Sequence, residues 1–176
     1  FLDIENFTNL SEGLEPQEVV RVINVYFDAL AQVIMGHGGS VDKYEGDAIM
    51  ALFGAPVPST DHAVKACFAT MAIQARMKEL NTQMGYKLNI RIGLATGDAI
   101  VGNMGSSQRF DYTAMGDTVN TASRLEGANK FYKTGILVNP GTFEAAQSQI
   151  FFRKIDTVCL KGKENAIAIY QVLGTQ

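Results

Sequence analysis

With 176 residues, 47% of them hydrophobic and 19% charged, the chain has the length and makeup of one globular domain with a sizeable core. Its net charge of −3 supplies no basic field and argues against nucleic acid as a partner, so a polyanionic ligand has to be held by metal ions or a few local cations. Cys67 and Cys159 stand far apart without metal-ligand spacing and read as buried thiols of a reducing compartment.

No apolar stretch approaches the roughly 18 residues of a spanning helix, and no signal peptide opens the chain. The opening "FLDIENFT" reads like the end of a strand already under way. Residues 1–176 are therefore expected to be a single catalytic or regulatory domain cut from a longer protein, with the beginning of its first strand left outside.

"FLDIE" predicts a short strand, and "NFTNLSEGLE" a polar loop after it. Pro16 suits the first turn of a helix, along which Val19, Val20, Ile23, Phe27, Leu30 and Ile34 recur at helical spacing up to a Gly-rich stop at 36–39. "GSVDKY", a Glu45-Gly46 turn and "DAIMALF" predict a hairpin whose second strand is buried on both faces. Ser59, Thr60 and Asp61 offer caps for a second helix, with Val64, Phe68, Met71, Ala75 and Leu80 along one side. "KLNIRIGLATG" alternates, placing Leu88, Ile90, Ile92 and Leu94 on one face. A short strand at "AIV", a strand at "RFDYTAM" and a third helix at "GDTVNTASRLEGANKF" follow. "GILVN", a short helix after Pro140, "FFRKIDTVCLKGK" and "AIAIYQVL" complete the chain. Helices and strands interleave, but hairpins interrupt them. The fold class expected is an α/β (α+β) sandwich with a mixed, mostly antiparallel sheet.

Two acidic residues stand at strand ends. Asp3 lies inside an apolar strand, and Asp47 opens another. If the strands are neighbours, the carboxylates converge and repel, and a divalent cation relieves that repulsion. The loop after Asp3, with Phe7 and Thr8, offers backbone N–H groups and a hydroxyl to phosphate oxygens. Taken singly, each aspartate reads equally well as a turn residue.

Four stretches together, "FLDIENFTNLSE", "VDKYEGDAIMALFGAP", "IRIGLATGDAIVGNMGS" and "DYTAMGDTVNTASRLE", with "LKGK" near the end, resemble the catalytic domain of class III nucleotidyl cyclases over essentially the whole chain. The resemblance implies a ferredoxin-like βαββαβ core extended at the C-terminus. It also implies a head-to-tail homodimer with active sites at the interface, and conversion of a nucleoside triphosphate to the 3′,5′-cyclic monophosphate and pyrophosphate with two Mg²⁺ or Mn²⁺ ions. By motif position, Asp3 and Asp47 would hold the metals, assisted by the Ile4 carbonyl. Lys43 and Thr113 would select the purine, while Asn120 and Arg124 would orient the ribose and stabilise the reacting α-phosphate. Lys161 would contact the terminal phosphates, as would Phe7 and Thr8, with Arg109 near a further phosphate-contacting position. A two-metal site lowers the pKa of an attacking hydroxyl and neutralises the leaving pyrophosphate, and a fixed arginine suits phosphoryl transfer better than a lysine does.

Lysine at position 43 favours ATP, since guanine-selecting members of the family carry glutamate there and cysteine at the position of Thr113. Many adenine-selecting members carry aspartate at the latter position, and a hydroxyl, able to donate and accept, discriminates less firmly than a carboxylate. The leading expectation is an adenylyl cyclase, in a cytoplasmic domain of a larger soluble or membrane-anchored protein and without membrane contact of its own. The alternatives are a guanylyl or promiscuous cyclase and a non-catalytic cyclase-like regulatory domain. His37 and His62 read as structural. Arg124 with Glu126 reads alternatively as a surface charge pair, and Lys161 with Lys163 as a solvated turn.

Overall fold

In the computed structural model, residues 1–162 and 165–176 are described; Lys163 lies outside them. The chain runs β1 (Leu2–Glu5), α1 (Phe7–Glu12), α2 (Pro16–Gly36), β2 (Gly39–Glu45), β3 (Ala48–Phe53), α3 (His62–Met84) and β4 (Asn89–Leu94). It continues through β5 (Ile100–Gly105), β6 (Phe110–Met115), α4 (Asp117–Tyr132), β7 (Ile136–Val138), α5 (Pro140–Ala146), β8 (Ile150–Val158) and β9 (Ile167–Thr175).

Seven strands form one sheet in the order β2-β3-β1-β4-β7-β9-β8, and every pairing but the parallel β4–β7 is antiparallel. The first four strands with α2 and α3 make the ferredoxin-like βαββαβ unit, and the C-terminal strands extend it. The expected fold class is the one observed. Among the described residues, β5 and β6 pair only with each other and form a separate hairpin.

Alternation decides what each face of the sheet carries. Leu2, Ile4, Ile90 and Ile92 point into the main core with Val22, Tyr26, Leu30 and Ile34 of α2 and Cys67, Ile73 and Met77 of α3. Burying Leu2 and Ile4 stabilises β1 by about 2 kcal/mol each, and it sends Asp3 to the opposite face. That face is covered by α4: a Cβ added at Gly93 would stand 2.1 Å from the Ala122 carbonyl oxygen and 2.3 Å from the Glu126 nitrogen. A smaller core of Leu125, Leu137, Leu160 and Ile169 fills the space there.

Several expectations change. The segment after β1 is not a polar loop: Asn6, at φ 64°, starts the short helix α1, which buries Phe7 in the main core. The hairpin turn is Gly46-Asp47, one residue later than expected, with β3 opening at Ala48, so Asp47 precedes its strand. That strand is buried at Ile49 and Met50 and half-buried beyond them. In α3 the buried stripe passes through Ile73 and Met77, leaving Ala75 exposed. Asp61 occupies the N-cap position without capping, because its carboxylate is taken by Ser59 and Lys65. Cys67 is buried as expected, but Cys159 is exposed. Finally, α2, 21 residues long, is long and apolar enough to span a membrane by length and composition. It spends its apolar face on the sheet, so here it is a core helix.

Candidate active site

Eight of the predicted site residues, Asp3, Ile4, Asp47, Lys43, Thr113, Asn120, Arg124 and Lys161, fall into three groups, and no hydrogen bond or ion pair among the described residues joins one group to another.

The first group is acidic. Asp3 lies opposite Ala48 in the β1–β3 register, and the Ile4 N–H donates to the Asp47 carbonyl at 3.3 Å, which fixes the turn beside β1. The Asp47 carboxyl is pushed above its ordinary value by burial first and by the Asp3 charge second. Sequence reading missed what stands next to them. Arg91 of β4 pairs with Asp3, lies 3.6 Å from Glu5, and lies 3.0 Å from Glu126 of α4. The contact with Glu126 is one of charge only, since neither Arg91 Nε nor Glu126 Oε1 makes a hydrogen bond among the described residues. Burial is the main reason that Glu126 is held above the usual carboxylate range. Glu126 of α4 thus faces Arg91 of β4 beneath it and not Arg124 along the helix.

Two converging carboxylates, one already biased toward its protonated form, suit a divalent cation, whose charge would favour both ionised forms. No cluster of three or more His, Cys, Asp or Glu side chains with metal-holding geometry occurs among the described residues. A cation here therefore has to complete its shell from backbone carbonyls, water or ligand oxygens.

The second group gathers around a residue that the sequence did not single out. The β2–β3 register slips between Val41 and Lys43, leaving Asp42 as an extra residue in β2. A bulge of this kind re-aims a side chain. The Asp42 side chain is 1% exposed; its Oδ2 accepts a 2.6 Å hydrogen bond from the Thr113 hydroxyl, 71 residues away. Its Oδ1 lies 3.9 Å from the Lys43 ammonium. Lys43 and Thr113 are thereby brought to one carboxylate.

The third group lies on and beside α4. Asn120 and Arg124 are one helical turn apart, Asn120 exposed and Arg124 half-buried. The Arg124 guanidinium passes so close to Gly162 that a Cβ there would stand 3.3 Å from its terminal nitrogen, which sets it against the turn that carries Lys161. Gly162 has φ 75°, a conformation that favours glycine.

The remaining predicted residues are dispersed. The Phe7 side chain is buried in the core, which leaves only its backbone available to a ligand, while Thr8 is exposed. Arg109 sits in the exposed β5–β6 turn, tied by backbone bonds to Ser106. His37 caps α2 by contact with the Val33 carbonyl, and His62 opens α3. A cavity of about 360 Å³ lies between β3, α3 and the start of α4, and none of the predicted site residues lines it.

This fold, with its acidic pair and its two cation-bearing groups, is that of a nucleotidyl cyclase. Residues 1–174 match the family described as "Adenylate and Guanylate cyclase catalytic domain", and the chain belongs to it. It is 40% identical to "Adenylate cyclase 1" of Rhizobium meliloti (strain 1021) over 99% of its own length, spanning 27% of that relative. Among solved structures, it resembles the adenylyl cyclase CyaB from P. aeruginosa with TM-score 0.93 and 35% identity, covering 99% of this chain and 92% of that one. It also resembles the guanylyl cyclase Cya2, with TM-score 0.91 and 39% identity, over 99% of this chain and 90% of that one.

Proposed function

We propose that this chain is the catalytic domain of an adenylyl cyclase, converting ATP to 3′,5′-cyclic AMP and pyrophosphate at sites shared across a homodimer. The ribose 3′-oxygen bonds to the α-phosphorus and gives up its proton, while the bond from that phosphorus to the β-phosphate oxygen breaks and pyrophosphate departs with the electron pair. Two divalent cations held by Asp3, Asp47 and the Ile4 carbonyl would neutralise charge on the phosphates and make the 3′-hydroxyl more acidic.

The other roles fall to this chain's own groups. Arg124 stabilises the charge that develops on the α-phosphate, and Asn120, one turn earlier on α4, orients the ribose. Lys161, beside Arg124, contacts the terminal phosphates together with Arg109, the Thr8 hydroxyl and the Phe7 backbone. Removing one donor such as Arg124 lowers turnover by about 10²–10³.

The observation that carries the choice of ATP is the pairing of Lys43 with Thr113 at Asp42. An ammonium donor suits the unprotonated N1 of adenine and opposes the N1–H of guanine. Similarity alone does not decide the base, because the guanylyl cyclase Cya2 is as close in sequence as the adenylyl cyclases are. A non-catalytic role is disfavoured by the presence of Asp3, Asp47, Asn120 and Arg124 together.

Two observations support shared sites. Lys43 pairs with Met50 inside the hairpin whereas Asp47 sits at its tip, so the base-reading and acidic groups stay apart within one chain. The β5–β6 hairpin also stands outside the main sheet and exposes Ile100, Phe110, Tyr112 and Met115, an apolar surface suited to a second copy. ATP as substrate fits a cytoplasmic location. Initial rates with ATP and GTP side by side, in Mg²⁺ and in Mn²⁺, test the reading. Faster cyclisation of GTP overturns the choice of base, and a folded dimer that forms neither product overturns catalysis.

A further inference from the structure

The Thr113 hydroxyl, as a chemical group, is ambiguous. It can donate to the guanine O6 or accept from the adenine 6-amino group, so by itself it distinguishes the two purines poorly. Its surroundings remove the ambiguity. The only hydrogen on that oxygen is engaged by Asp42 Oδ2 at 2.6 Å, and the Asp42 side chain is 1% exposed, so solvent does not compete for the bond. A carboxylate has no hydrogen to give back. What Thr113 can still present to a base is a lone pair.

We propose that Asp42 is a specificity-determining positioning residue: by holding the Thr113 proton, it turns a two-way hydroxyl into an acceptor that selects the 6-amino group of adenine and rejects the 6-oxo group of guanine. The inference rests on the reading of Lys43 and Thr113 as purine contacts. Asp42 also reaches the second contact. Its Oδ1 is buried, accepts no hydrogen bond among the described residues, and lies 3.9 Å from the Lys43 ammonium. One of the three N–H donors of Lys43 is thus drawn toward Asp42, and the others stay available for the base. The bulge at Asp42 makes this arrangement possible, since regular alternation would place neighbouring residues 42 and 43 on opposite faces of β2.

The test uses substrate ratios, which a loss of folding or a general loss of activity leaves unchanged. In Asp42→Asn the side chain can either accept from or donate to Thr113, so the enforced polarity is lost. The ratio of kcat/KM for ATP to that for GTP is expected to fall by about three- to tenfold, the worth of one hydrogen bond. Thr113→Val is expected to lower the ratio too, and Asp42→Asn added to it should cause no further fall, because the two residues act as one unit. Thr113→Ser, which keeps the hydroxyl, should retain the ratio.

If Thr113→Val leaves the ratio unchanged, the assignment of Thr113 to the base fails. If Thr113→Val lowers it and Asp42→Asn does not, only the orienting role fails. Inosine triphosphate on the unmodified protein gives a measurement that no folding defect can obscure. It shares the 6-oxo and N1–H groups of GTP but lacks the 2-amino group, and it should be rejected as GTP is. Use of inosine triphosphate on a par with ATP overturns the proposal.

Discussion

Gly93→Ala is the substitution whose consequence can be followed furthest. Gly93 lies on β4 where α4 crosses, and its missing side chain lets two backbones touch. An added Cβ would meet the Ala122 oxygen at 2.1 Å, the Glu126 nitrogen at 2.3 Å and the Leu125 carbonyl carbon at 2.9 Å. All three are backbone atoms, so no side chain can swing away, and α4 has to retreat by roughly 1 Å to restore ordinary contact. The retreat pulls on the clips that hold the helix to β4. The Asn129 amide donates to the Ile92 carbonyl at 2.9 Å, and Arg91 lies 3.0 Å from Glu126. Overpacking of this kind costs about 1–3 kcal/mol, which for a chain of this size is a fall of roughly 3–10 °C in Tm. Because α4 also carries Asn120 and Arg124, a 1 Å displacement should cut kcat by about 10²-fold. Scanning calorimetry and initial rates at saturating ATP measure both effects. Gly127→Ala, on the same helix with nothing within 4 Å of the added carbon, serves as the control. It should raise stability by up to about 1 kcal/mol and leave kcat unchanged. Wild-type Tm and kcat in Gly93→Ala would refute the claim that this contact sets the position of α4.

Two further outcomes follow from the charges and thiols. The Asp47 carboxyl is held above its ordinary value, so the native state binds that proton more tightly than the unfolded chain does. Its stabilising contribution is full below the unfolded value and is lost as pH rises through the folded one. Melting of the metal-free protein should therefore lose ground to Asp47→Asn as pH leaves the acid range, and Mn²⁺ should reverse the loss; a difference independent of pH contradicts this. The Cys67 thiol is buried and pushed up to about 12, whereas Cys159 is exposed. Iodoacetamide at pH 8 should label Cys159 quickly and Cys67 only on unfolding, and mass spectrometry of the native protein distinguishes this from equal labelling.

What the sequence made legible was whatever depends on local pattern. The alternation at Ile90 and Ile92, the helical spacing of Leu30 and Ile34, and the Gly46 turn each report their own surroundings, and the elements follow. The roles proposed for Asp3, Asp47, Asn120 and Arg124 come from family likeness and not from local pattern. Long-range pairing was not. Arg91 meets Asp3 across 88 residues, and Thr113 meets Asp42 across 71, and no local signal marks either. The bulge at Asp42 left no trace, since a shift of register depends on the partner strand. Helix α1 was hidden because its first residue, Phe7, is anchored by the core and its start relies on the left-handed backbone of Asn6. The exposure of Cys159 depends on where β8 ends, which its neighbours in sequence do not fix.

The arrangement proposed for the active site divides the base-reading and metal-holding groups of each chain between two sites. Lys43→Ala and Asp47→Ala chains, each expected to be inactive alone, can be mixed under conditions in which native mass spectrometry shows exchange of subunits. In the mixed dimer both lesions fall in one site and the other is intact, so cyclic AMP formation should partly recover. Mixed dimers that remain as inactive as either parent would contradict sites built from two chains.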